Sequence, residues 1–481
     1  MAHIERLTPL DVAMPRTYIR VLLLFRAAIA ASAAQTLQDG LNRLAEQVPW
    51  VSGRIYSVSG GGQEIRYDAE KINPPLLVDK GSIAASCTMS HGKSMDAIAP
   101  EVWPVSGALT GDGAPVFAAS VFRFATPDLD PQEGRQCIAL CVCIHHNAVD
   151  ATGFTEIIRL WARNVAGPDL SFSTCSAAPD RGSRHAHLLT TLSSELKELE
   201  ISSPSSDAIL AMHSEYSKTP PAMPPNGLAP CTSKLFSIPI HWVNILKELL
   251  RKYVSTPPTT NVVLCALLWT TITRVRARRN PSLMSQTSRL VTAINGRPRI
   301  KPGFSSSCPV FVSENDHTYL GNAVVYVLTP FPAVALASST AETTPDPGPA
   351  PMRSLAIICD QISNSQSVST INKRHIAEVY RLLDESPLFP GWDLFGSRDV
   401  VITSWADQDL YTVDFGSLFG RPTSVVFPPM EPGAPADGVG IVLPRRREKA
   451  EMEILEVILM LRVDDMRALE DDSLWQTIVS V

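Results

Sequence analysis

The chain of 481 residues carries 42 Lys and Arg against 48 Asp and Glu, a formal charge of −6, so it lacks the basic footprint that a nucleic-acid partner requires. With 45% hydrophobic and 19% charged residues it has the make-up of a globular protein, and at about 150 residues per domain its length implies two or three units. Nine cysteines, an odd number without a Cys-x-x-Cys pair, argue for a reduced, cytoplasmic protein with no structural zinc, and no apolar run reaches the ~18–20 residues that span a bilayer.

In chain order, a strand over Tyr18 to Phe25 leads into an alanine-rich helix, and Arg26 breaks the apolar run Val21 to Ala34 too early for a secretory leader. Leu37, Leu41, Leu44 and Val48 recur at helical spacing, and Pro49 stops that helix before a turn at Ser52-Gly53. Val116 to Phe124 and Ile138 to Ile144 read as strands separated by the polar loop Pro127 to Arg135, an antiparallel hairpin. From Thr152, the positions Phe154, Ile157, Ile158, Trp161 and Val165 line one face of a helix that Gly167-Pro168 ends.

Ser171 to Pro230 is polar and rich in Ser and Pro, with one helical stretch at Leu188 to Leu199, and suits a crossover between two units. The expected division is therefore 1–200, a linker at 201–230, and 231–481. The second unit opens with a strand at Lys234 to Ile240 and helices at Trp242 to Tyr253 and Asn261 to Arg276. Strands follow at Leu290 to Ile294, Val400 to Trp405 and Glu453 to Arg462, while proline-rich Ser338 to Met352 reads as a surface excursion without structure of its own. Each half mixes strands with helices, an α/β composition.

The chemistry centres on His145-His146-Asn-Ala-Val-Asp150-Ala-Thr-Gly-Phe154, directly after an apolar strand. An imidazole at a strand mouth can take a proton near neutral pH if something holds it in place. His-x-x-x-Asp alone is a weak signal, but further segments fall in order around it: Pro49 to Arg54, Asn261 to Trp269, Asn295-Gly-Arg297-Pro-Arg299, Tyr319-Leu-Gly-Asn322, Thr403-Ser-Trp405, Asp414-Phe415-Gly416 and Gly420-Arg-Pro422. Neighbouring strand residues point to opposite faces, so only one of His145 and His146 can face a site. No Gly-x-Ser-x-Gly elbow is present, and Cys141 and Cys143 lie inside the strand rather than at its mouth.

This ordered set resembles the BAHD acyltransferases, and among them the fungal enzymes that acylate secondary metabolites, such as trichothecene acetyltransferases; the likeness runs from about residue 7 to about residue 430. Two departures stand out. Ala151 replaces the glycine that follows the aspartate, and Asp414-Phe415-Gly416 continues Ser-Leu-Phe-Gly rather than Trp-Gly. If the glycine position needed a positive φ, alanine there would cost on the order of 1 kcal/mol, with Gly153 available to take the turn instead.

The resemblance implies two domains like those of chloramphenicol acetyltransferase, each a mixed β-sheet packed with helices, with an active-site channel between them. It implies acyl-CoA, acetyl-CoA by default, as co-substrate, a small alcohol as acceptor, and neither bound cofactor nor metal. His146 would be the general base, while Asp150 turns away to pair with Arg297 (Arg299 as second choice) and holds the loop. Thr403 and Trp405 would offer a hydroxyl and an indole N–H to the oxyanion. Asp414, Phe415 and Gly416 would shape the CoA side, away from the chemistry, and Trp269 and Tyr319 would be core residues. A thioester is already activated, so transfer would be direct, in a ternary complex on a monomer. Two other readings are a stand-alone condensation-type domain fed by a carrier protein, and a non-catalytic member that only binds ligand.

Overall fold

The computed structural model of the chain describes residues 2–28, 32–83, 100–106, 108–124, 135–167, 184–224, 227–300, 319–338, 349–393, 395, 397–428, 437–447 and 453–479. Strands and helices are labelled in chain order.

The most apolar segment of the first half, β8 (Arg135–His145), is buried on both faces and forms the centre of a five-stranded sheet. It pairs antiparallel with β2 (Tyr18–Ala28) on one side and β7 (Phe117–Phe124) on the other, and β5 (Leu77–Ser82) adds a parallel edge beyond β7. Register sets Tyr18 opposite His145, which fixes the mouth of β8 at that end of the sheet. Helices α2 (Ala33–Gln47) and α3 (Ala151–Ala166) pack together over this core, with Trp161 Nε1 donating to the Leu37 carbonyl at 2.9 Å. A small sheet of β1 (Ala2–Arg6), β4 (Gln63–Asp68), β3 (Arg54–Ser57) and β6 (Ala114–Pro115) flanks it.

In the second half six strands run in the order β10 (Cys231–Pro239), β17 (Ile454–Arg462), β16 (Val439–Val442), β14 (Val400–Ser404), β11 (Thr287–Asn295) and β12 (Val324–Pro332). β14 is parallel to both of its neighbours while the outer pairs are antiparallel, so the sheet is mixed. Its core is organised by α7 (Thr260–Arg279), which is buried on nearly every side. A helix buried all round must neutralise its charges internally. Arg274 accordingly meets Asp472 at 2.6 Å and Arg276 meets Asp437 at 2.8 Å.

The fold is therefore mixed α/β, as expected, but three local expectations need correction. Ser424–Val426 (β15) falls in the second half of the sequence, yet it pairs with Leu22 to Leu24 and completes the first sheet. Residues 201–230 are not a bare linker: they contain α5 (Ser206–Leu210) and β9 (Tyr216–Ser217), which pairs with β13 (Phe389–Pro390). Buried Ile209 and Tyr216 give this segment a share of a third core, and that burial is what orders it. Of the proline-rich excursion, 339–348 lies outside the described residues, while Pro349 to Met352 begins α10 (Pro349–Ser365). Proline at a first helical position loses no hydrogen bond, so it starts this helix rather than excluding one. Residues 127–134 of the hairpin loop and 171–183 of the crossover also lie outside the described residues.

Among the described residues no helix is long and apolar enough to cross a membrane, and Cys137, Cys141, Cys143, Cys231, Cys265 and Cys359 are free thiols.

Candidate functional site

β8 ends at His145, and the chain then turns through His146 to Val149 before Asp150 caps α3. The two histidines part company here. His145 is fully buried, its Nε2 is 2.7 Å from the Thr110 hydroxyl, and its ring meets Tyr18 edge-on. Burial, helped by the charge of Arg16, pushes its pKa down to about 4, so it stays neutral. His146 has left the strand and is only half-buried. Its Nδ1 is buried and makes no hydrogen bond among the described residues. Burial is the strongest influence on this ring and lowers its pKa; the backbone of His146, the charge of Asp150, the backbone of Val149 and Asn322 pull the other way without cancelling it. An imidazole that is neutral at neutral pH can accept a proton.

The backbone that carries His146 is fixed on both sides. Its N–H donates to the Thr17 carbonyl at 2.8 Å, and its carbonyl accepts from Asn322 Nδ2 at 2.9 Å. Asn322 is held by Asp11 Oδ1, which accepts its backbone N–H at 2.7 Å and its side-chain amide at 2.9 Å. Asp11 closes a capping box with Thr8 on α1 (Pro9–Val12). Asn147 Nδ2 donates to the carbonyls of Asp11 and Met14 at 2.7 and 2.8 Å, and Arg184 Nη1 donates to Ala148 O at 2.7 Å.

Asp150 does not touch the His146 ring. Its Oδ1 accepts from the Gly153 N–H at 3.0 Å, capping α3. Its Oδ2 accepts from Arg297 Nη1 at 2.8 Å and from the Ala323 N–H at 2.9 Å. Both side chains of this ion pair are essentially inaccessible. Arg297 also donates to Tyr319 O at 2.9 Å, to Asn295 Oδ1 at 3.3 Å and to Gly321 O. Arg299, the second choice from sequence, is occupied elsewhere, donating to the carbonyls of Gln366 and Ile371.

Ala151 is the first residue of α3, and neither it nor Gly153 has a positive φ, so the condition under which alanine would be strained here is not met. Gly153 answers a different demand. A Cβ there would lie 2.1 Å from the Leu320 carbonyl oxygen, so its lack of a side chain lets the Tyr319 to Asn322 segment approach the helix.

Thr403, near the end of β14, is registered against Ile441, whose side chain packs on the core of the first sheet. Trp405 joins that core, with its ring edge-on to Phe154 of α3 at 5.7 Å and to Phe427 at 5.0 Å. Ser404 alternates to the opposite face of the sheet and lines a cavity of about 540 Å³ with Lys247, Arg251, Thr260, Asn261 and Arg445.

Asp414 to Gly416 lies elsewhere. Asp414 Oδ1 accepts the Gly416 N–H at 2.8 Å, and Gly416 has φ +81°. Phe415 is buried against Phe25 and Trp161. Gly416 abuts Ala166, the last residue of α3. Fifteen steps of 1.5 Å put this loop roughly 22 Å along the helix from the end that Asp150 caps. Trp269 and Tyr319 are fully buried, as core residues should be.

Residues with a structural part here that sequence reading did not single out are Asp11, Asn147, Arg184 and Ala323. Only Asp11 left a local signal, the Thr8-Pro-Leu-Asp11 capping pattern; the others act through contacts distant in sequence.

A family model described as Transferase family matches residues 114–474. The O-acetyltransferase ptmV of Penicillium ochrochloron is 26% identical over 520 residues, covering 98% of this chain and 95% of that protein. The trichothecene 8-O-acetyltransferase of Fusarium sporotrichioides is 25% identical over 508 residues, covering 97% and 96%. The fold is shared with the crystal structure of F. sporotrichioides TRI101 complexed with coenzyme A and T-2, at a TM-score of 0.70 and 19% identity, with 99% of each chain covered.

The close approach at Gly153 gives a direct test of how the loop is assembled. Gly153→Ala should cost about 1–3 kcal/mol, the usual range for overpacking, and should lower kcat at least tenfold by displacing the segment that carries Asn322. Denaturant midpoints and kcat check this; a variant equal to wild type in both would contradict it.

Proposed function

The chain belongs to the Transferase family, and we propose that it is an acyl-CoA-dependent O-acyltransferase of the BAHD kind, an acetyltransferase acting on a hydroxyl group of a fungal-type secondary metabolite. The observation that carries this reading is a neutral, half-buried imidazole on a loop whose backbone is anchored from both halves of the molecule. The curated relatives, named as O-acetyltransferases across almost the whole chain, support the reaction class.

In this mechanism the acceptor hydroxyl donates its hydrogen bond to His146 Nε2. As its oxygen attacks the thioester carbonyl, His146 takes the proton and the carbonyl oxygen gains negative charge. Thr403 and Trp405 donate to that oxyanion, a contribution of roughly 2.7–4 kcal/mol for a well-aimed donor. Collapse of the tetrahedral species breaks the carbon–sulfur bond, and the CoA thiolate recovers the proton from the imidazolium. No residue carries the acyl group. Burial pushes the Cys141 pKa up to about 12 and that of Cys143 well above its usual value, so both remain protonated and unreactive at neutral pH.

The cavity beside Ser404 suits the phosphates of CoA. Lys247 supplies positive charge, Arg251 and Arg445 line the wall while paired with Glu248 and Glu453, Asp407 is the acidic residue of the lining, and the Thr259-capped N-terminus of α7 lies at its wall. Because Ser404 follows Thr403 on the same strand, a thioester reaching over the end of β14 would bring its carbonyl toward Thr403 and Trp405. Asp414 to Gly416 then contributes by bracing α3.

Two measurements test the proposal. His146→Ala should lower kcat with acetyl-CoA and a hydroxylated acceptor by a factor of ~10²–10⁴, the range for loss of a general base, with the fold intact by circular dichroism; activity retained in His146→Ala but abolished in His145→Ala would overturn the assignment. Initial-rate plots against acetyl-CoA at several acceptor concentrations should intersect, because both substrates are bound together. Parallel lines, or an acylated peptide trapped with acetyl-CoA alone, would point to a covalent route instead.

A further inference from the structure

The third core contains a polar cluster that the reaction does not use. His213 lies just before β9 and is almost fully buried, as is Glu215. His375 and Glu378 face them from α11 (Lys373–Glu385), one helical turn apart on the same side.

Glu215 Oε1 is 2.8 Å from His213 Nδ1 and 3.6 Å from His375 Nε2, and the three groups offer ligand atoms all within 4.8 Å of one another. The two imidazole rings lie 4.6 Å apart between centroids. On its other side, His213 Nε2 is 3.2 Å from Glu378 Oε2, and Glu378 Oε1 accepts from Arg374 Nε at 2.7 Å.

His375 Nε2 is the telling atom. It is buried, points into the cluster, and makes no hydrogen bond among the described residues. A buried polar nitrogen without a partner is costly and calls for an explanation.

We propose that His213 Nδ1, Glu215 and His375 Nε2 bind a divalent cation of the zinc class, with Glu378 orienting His213 through its other ring nitrogen. Imidazole and carboxylate are the donors such an ion takes, and bonds of 2.0–2.2 Å at tetrahedral angles require ligand atoms about 3.3 Å apart. The two separations from Glu215 Oε1, 2.8 and 3.6 Å, bracket that value, and all three ligand atoms lie within 4.8 Å of one another. A ligating histidine whose second N–H rests on a carboxylate is the usual outer-shell arrangement, and Glu378 already occupies that place. The ion's ligands come from the segment between the two halves and from α11, so it would clamp that segment in place. The site is independent of the His146 chemistry, and it departs from the expectation of a metal-free protein drawn from the cysteine pattern.

The test is zinc binding by the full chain. Protein purified without chelator is assayed for metal by elemental analysis, then stripped with EDTA and titrated with ZnCl2 by calorimetry and with CoCl2 by visible absorption. Wild type and His146→Ala should each bind one equivalent, cobalt should give the strong absorption of a tetrahedral site, and zinc should raise Tm by several degrees. His375→Gln and Glu215→Gln should weaken binding at least a hundredfold, and Glu378→Gln by 10–100-fold. His375 is partly exposed on a helix surface, so its variant tests the ligand even where a His213 variant fails to fold. If stripping unfolds the chain, the metal content of the untreated proteins decides the matter: near one equivalent in wild type and near none in His375→Gln. Wild type without bound zinc, or His375→Gln and Glu215→Gln binding like wild type, would overturn the proposal.

Discussion

One buried carboxylate governs the arrangement of the site. Asp150 is inaccessible to water, and a lone charge in such a place would cost several kcal/mol. It is tolerated because its oxygens accept from Gly153 N–H, Arg297 Nη1 and Ala323 N–H. Those donors belong to different parts of the chain, so satisfying one side chain fixes the start of α3, the end of β11 and the segment before β12 together. Arg297 extends the constraint by spending its remaining donors on Tyr319, Gly321 and Asn295. His146 stands between these anchors and needs no ion pair of its own.

Helix α3 carries the constraint through the first unit. Asp150 caps one end, and Gly416 and Phe415 pack on the other, where Phe415 wedges between Phe25 and Trp161. The two most recognisable motifs thus brace opposite ends of a single helix. Trp405 meets the same helix at Phe154, which links the end of β14 to the histidine loop without a covalent connection. β15 reinforces the joint by taking the chain from the second half back into the first sheet.

Local patterns were the legible part. The apolar run of β8, the 3.6-residue periodicity of α3 and the His146 to Asp150 spacing can each be read within a dozen residues, and the structure has a strand, a capped helix and the loop between them at those places. Arg297 could be named only through resemblance, because nothing in Gly-Arg-Pro-Arg says which carboxylate it meets. The capping pattern that makes Asp11 visible says nothing of its bond to Asn322, and neither Asn147 nor Asn322 announces its partner, because these hydrogen bonds run to segments more than a hundred residues away and leave no local periodicity. The demand for glycine falls on Gly153 and concerns the space occupied by Leu320 rather than a backbone angle, which the sequence around Ala151 does not reveal. Proline content misled at Pro349, where it marks a helix start. The His213 and His375 cluster was invisible because its side chains sit on an inter-unit segment and a distant helix, brought together only by the fold.

The central claim is that Asp150 and Arg297 act as one unit that builds the site. A double-mutant cycle on folding stability with Asp150→Asn, Arg297→Met and the double variant tests it most directly. Each single change leaves a buried partner uncompensated and should cost ~3–5 kcal/mol, while the double variant should fall short of the summed losses by at least ~2 kcal/mol, because neither charge is then stranded. Additivity within about 0.5 kcal/mol would mean that the two side chains stabilise the protein separately, and would contradict the account.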